Sequence, residues 1–102
     1  IKIMSEFKGT KGKWKLGTSD TDVIADSKHS HKSNNSDESR EYYGGILICE
    51  SVLDKFDALL ISKAPEMLEM ISELLKELEF HGYRHSTTIY NAQNLIKEAT
   101  EF

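Results

Sequence analysis

The residues of this chain that could do chemistry are four histidines, one cysteine and a scatter of serines and threonines. His29 and His31 form one close pair, His81 and His85 another. Imidazole suits zinc, copper or nickel. Both pairs fall in stretches that read as loops, and no cysteine or carboxylate stands near them at a ligand spacing, so no metal site is expected. Cys49 lies in the apolar run ILICES, where a free thiol is usually buried as a small hydrophobe. A single cysteine forms no internal disulfide, and nothing here points to an oxidising compartment. A nucleophilic Ser or Cys needs a base held beside it, and no pattern of that kind is present. Gly9, Gly12 and Gly17 do not have the spacing of a phosphate-cradling loop. The expectation is a protein with no catalytic residues and no cofactor.

Binding chemistry is better represented. Lys8, Lys11, Lys13 and Lys15 flank Trp14, and lysines with an aromatic can hold single-stranded nucleic acid by charge and stacking. In the opposing reading, Trp14 anchors the core and the lysines solvate a strand edge. The net charge of −4 argues against broad contact with a phosphate backbone. A nucleic-acid role through Lys8–Lys15 therefore stands as the alternative to protein or small-ligand binding. Met67, Met70, Leu74, Leu75 and Leu78 form a second feature, an apolar stripe at helical spacing. Such a stripe is most often core, but methionine-rich surfaces also adapt to partners. The apolar faces, with the apolar strand at 46–49, exceed what one small core covers, which predicts a homodimer with helix surface, Met70 and Leu74 included, or strand surface at a two-fold interface.

The elements that must position these residues follow from periodicity. At 102 residues the chain is one ordinary domain, with 38% hydrophobic and 29% charged residues. Residues 1–12 read as an arm or an edge strand around Ile3–Phe7. Residues 13–50 read as a β-region. Trp14 and Leu16 alternate with Lys13 and Lys15, turn residues fill Gly17 to Asp22, and Val23–Ala25 completes a hairpin. Residues 27–40 lack apolar anchors and read as a mobile loop. Tyr42 to Cys49 reads as the strongest strand, its Gly44-Gly45 pair marking a bulge or a close backbone approach.

Residues 51–102 read as helical. Ser51 and Asp54 fit a capping box, Pro65 divides the first helix from the second, and Gly82 ends the second. Ile89, Ala92, Leu95, Ile96 and Ala99 give the third helix its apolar face. The predicted class is α+β, with a small antiparallel sheet of three or four strands packed against two or three C-terminal helices. No apolar run has the length of a membrane span and no signal peptide is visible, so a cytoplasmic protein is expected. The chain opens on Ile1, so a native start upstream is an open alternative.

The stretches WKLGTSDTDVIADS, YYGGILICES, DALLISKAPEMLEM and LIKEATEF together resemble a class of small bacteriophage and prophage proteins. In that class a short β-region leads into a helix with an alanine- and proline-containing motif, followed by an acidic, leucine-rich helix. Ala58, Leu60, Ile61, Ala64, Pro65, Met67, Leu68 and Glu69 carry the likeness, which covers most of the chain outside 26–41. Where the class has Asn before the alanine, this chain has Asp57, which when ionised accepts hydrogen bonds but donates none. The resemblance implies expression in an infected or lysogenic bacterium; together with the small size and the lack of a catalytic constellation, it leads to the expectation of a role in binding a host protein or a small signalling ligand. It implies no reaction and no cofactor. Trp14, Asp57, Pro65, Met70 and Leu74 are the candidate interaction residues.

Overall fold

A computed structural model describes residues 6–26 and 42–101. Strands β1 (Lys13–Leu16), β2 (Val23–Asp26) and β3 (Ile46–Cys49) come first, followed by helices α1 (Lys55–Ser62), α2 (Ala64–Phe80) and α3 (Thr87–Thr100). The class is α+β, as the periodicity predicts. The chain divides into two compact units, Gly9–Pro65 with the sheet and α1, and a second that groups the N-terminal segment up to Lys8 with α2 from Glu66 onward and α3. Around the expected N-terminal edge strand, residues 6–12 are irregular, and residues 1–5 lie outside the described residues. So does the loop expected at 27–40.

In the first unit the sheet is antiparallel in the order β1-β2-β3. Trp14 pairs with Ala25 and Leu16 with Val23, while Ala25 pairs with Ile46 and Ile24 with Leu47. A register shift between Val23 and Ile24 marks a bulge. Val23, Ile24 and Ala25 are all fully buried, so β2 is covered on both faces. Helix α1 packs on β1 and β2 through two small residues one turn apart, Ala58 and Ser62, both buried. The Ser62 hydroxyl donates to the Leu59 carbonyl at 2.6 Å, so its burial leaves no unmet donor. Lys13 and Lys15 are exposed; the face beneath α1 is therefore the one carrying Trp14, Leu16, Val23 and Ala25.

Ile24 points the other way, and the chain before β3 covers it. A strand was expected from Tyr42, but only Ile46–Cys49 is extended. Tyr42 and Tyr43 form a helical turn instead. Thr18 explains the difference. Its hydroxyl donates to the Tyr42 carbonyl at 3.1 Å and its amide to the Tyr43 carbonyl at 3.3 Å. Gly44 then takes a positive φ of 83°, which glycine alone adopts without strain. Gly45 runs so close to β2 that an added Cβ would lie 2.7 Å from the Ile24 Cδ1 and 2.9 Å from the Ala25 carbonyl oxygen. The glycine pair marks a close approach, as its position suggested.

The start of the helical region also differs from expectation. Ser51 does not cap α1. It has a φ of 58°, and its amide donates to the carboxylate of Asp22 at 3.3 Å, while the Val52 amide donates to the Thr21 carbonyl at 3.0 Å. These bonds hold the chain against the hairpin loop until Asp54, whose side chain accepts from the Phe56 amide at 2.7 Å and caps the helix. Lys63 closes α1, and α2 begins at Ala64 with Pro65 at its second position. The amides of a first helical turn have no partner within the helix, so the missing proline N–H costs nothing there.

The second unit is a helical hairpin. Leu75, Ile89 and Ile96 form its buried centre, with Leu68, Ile71 and Ala92 packed around them. Gly82, at a φ of 86°, ends α2. Its amide donates to the Glu79 carbonyl at 2.9 Å and that of Tyr83 to the Leu78 carbonyl at 2.9 Å, the paired bonds of a glycine-stopped helix. Ser86 opens α3, its hydroxyl accepting from the Ile89 amide at 3.1 Å.

Candidate functional site

Helix α2 carries more apolar surface than α3 covers. Leu75 is 2% exposed, whereas Met70 and Leu74 are each 53% exposed, and Met67 and Leu78 are also open. At 3.6 residues per turn, Met67, Met70, Leu74 and Leu78 form a stripe beside the Leu68–Ile71–Leu75 row that packs on α3. The residue angles of antiparallel helices run in opposite senses, so Leu95, the exposed leucine of α3, opens on the same side of the hairpin. The outer edge of the stripe is acidic. Glu66, Glu73 and Glu77, all exposed, stand three or four residues from Met70 or Leu74, where side chains are neighbours on a helix. Glu69 extends the acidic surface, and Lys76 stands farther round. Leu78 also lines a shallow cavity of about 450 Å³ with Gly82, Tyr83, Arg84, His85 and Ile89.

The predicted interaction residues do not gather at one place. Met70 and Leu74 share the stripe. Trp14, Asp57 and Pro65 belong to the sheet unit. Trp14 is half-buried and its indole N–H donates to the Thr10 carbonyl at 3.0 Å; it is anchored to its own chain. Lys15 lies 3.9 Å from Asp26, which offsets one positive charge of the basic segment. Asp57 is exposed in the first turn of α1, where a negative charge complements the helix dipole. Pro65 is half-buried at the start of α2. Cys49 is a free, half-buried thiol. His81 and His85 are exposed, and among the described residues no three His, Cys, Asp or Glu side chains gather as a metal would require.

Two features escaped the sequence. One is a second apolar outer face, in the sheet unit, where Leu53, Phe56 and Leu60 are all open on and before α1. The other is a polar pair flanking β3. The Tyr43 hydroxyl donates to the Glu50 carboxylate at 2.6 Å, and that bond, with lesser contributions from burial and from the charge of Glu50, pushes the phenol up to about 12. Tyr42 meets Tyr43 edge to face at 4.8 Å. A tyrosine and a glutamate seven residues apart carry no periodic signal. They meet because the turn at Tyr42–Gly45 folds back beside the strand.

No helix among the described residues is long and apolar enough to cross a membrane. No curated protein and no solved structure matches the chain. Residues 4–101 match the model of a family described as Salmonella phage P22 protein Y8K6.

Proposed function

The chain belongs to the Salmonella phage P22 protein Y8K6 family, and from that premise we propose that it is a non-enzymatic phage accessory protein that works by binding a host protein in the cytoplasm of the infected cell. The observation that supports this reading is the open stripe Met67–Met70–Leu74–Leu78, continued by Leu95. Contiguous exposed apolar surface bordered by charge is characteristic of protein–protein contact. Methionine adds flexible, polarisable side chains suited to an imperfectly preformed partner surface. The nucleic-acid alternative has less support, because Trp14 is half-buried and its indole N–H is tied to Thr10, and Asp26 offsets the charge of Lys15.

A photoreactive amino acid at position 74, with the exposed position 97 on the opposite side of α3 from Leu95 as control, tests the reading in infected cells. An adduct with a host protein from position 74 and none from position 97 is the expected result. No adduct from position 74 would remove the basis for the proposal.

A second reading is self-association through the same stripe. It uses the same open leucines and methionines, and makes a second copy of the chain the partner.

A further inference from the structure

We infer that the partner seated on the α2–α3 hairpin is a basic amphipathic helix, whose apolar face lies on Met67, Met70, Leu74 and Leu95 and whose lysines or arginines reach the glutamates of α2. This rests on the reading that the stripe binds a protein, and it specifies the chemistry of what is bound.

Shape gives the first part of the argument. The stripe follows one helix, with a leucine of the neighbouring antiparallel helix beside it, so the open surface is a long strip rather than a pit. An amphipathic helix laid along such a strip presents anchors at three- and four-residue steps. The positions 67, 70, 74 and 78 on α2 have that same step.

Charge selects the helix. The outer edge of the stripe carries Glu66, Glu73 and Glu77. An occupant with cations along the facing edge places opposite charges together, which steers encounter and fixes register. A second copy of the chain paired through the same stripe does so less well. A two-fold axis crossing two antiparallel α2 helices brings the same edge of each together, so the glutamate row meets itself. A parallel pairing sets that row against Leu95 and the adjoining turns of α3. In both arrangements the lysines of the two helices, Lys76 and Lys97, stand on the side away from the stripe.

The test uses the full chain and a synthetic leucine–lysine amphipathic peptide, with the same peptide carrying glutamate for lysine as control. Calorimetry gives affinity, and the methyl resonances of Met67 and Met70 report the site. The lysine peptide is expected to bind with a Kd of roughly micromolar order and to shift both methyl signals, while the glutamate peptide does neither. Leu74→Ser and Glu73→Lys, each confirmed folded by circular dichroism, should weaken binding about tenfold or more. Lys76→Gln should not. Absence of binding, binding that leaves the methyl signals unmoved, or equal affinity in Leu74→Ser would overturn the inference. An adduct from position 74 in infected cells alongside a negative peptide result rejects the basic helix and retains the protein-binding reading; no adduct rejects both.

Discussion

Gly45 and Tyr43 show how much of the first unit depends on single atoms. Gly45 lies against the Ile24 side chain and the Ala25 carbonyl, and the second of these is backbone that cannot swing aside. Gly45→Ala should destabilise the chain by about 1–3 kcal/mol, the usual cost of overpacking, measured as a fall in the urea midpoint. The glycine doublet was read as a bulge or a close approach inside a strand; the close approach is what it makes, in the turn before β3. The Tyr43–Glu50 bond was not, because a side-chain partner across a turn depends on the path of the chain. That bond has a pH signature. With its folded value raised to about 12 from an ordinary tyrosine value of about 10, its contribution to stability is complete below the ordinary value and is lost as pH rises through about 12. Phenolate absorbance should show one tyrosine titrating late, and Glu50→Gln should bring it back toward the ordinary range.

At the level of elements, the sequence announced α2 and its glycine stop, and α3 through its apolar face. The three- and four-residue spacing of leucines fixes a helix whatever it packs against. The spacing could not say which part of the arc from Met70 round to Leu68 faced α3, because the arc is wider than one neighbouring helix covers. Two substitutions one residue apart separate the halves. Leu75→Ala should cost about 2–5 kcal/mol, as for a buried leucine that leaves a cavity. Leu74→Ser should change stability by no more than about 0.5 kcal/mol, as at most surface sites. Thermal melts of the two variants check this, and equal losses would mean that Leu74 is core. The start of α1 was misread for a related reason. Ser51 has the right residue type for a cap, but the Asp22 carboxylate holds its amide, and a contact from 29 residues away is invisible to a local rule. Ser86, with no such competitor, caps α3 as a serine should, and Ser86→Ala should cost about 1 kcal/mol.

For the whole molecule, the competing occupants of the open stripe respond to salt in opposite directions. If a basic helix sits there, its attraction to Glu66, Glu73 and Glu77 is screened as ionic strength rises, because the screening length falls from about 30 Å at 0.01 M to about 10 Å at 0.1 M and 3 Å at 1 M. Affinity for a lysine-bearing helix should therefore fall steadily across that range. If two copies pair with their α2 helices antiparallel, the glutamate rows repel each other, and screening relieves the repulsion while leaving the apolar contact of Met67, Met70 and Leu74 in place. Self-association should then rise across the same range. Light scattering at about 100 μM chain, a concentration at which micromolar pairing is nearly complete, gives the second curve, and calorimetry with the lysine peptide gives the first. The expected outcome is a monomer at low salt that binds the peptide, with peptide affinity declining as salt is added. A dimer already complete at low salt, unmoved by added salt, would show that the glutamate edge lies outside the interface and that a second copy covers the stripe.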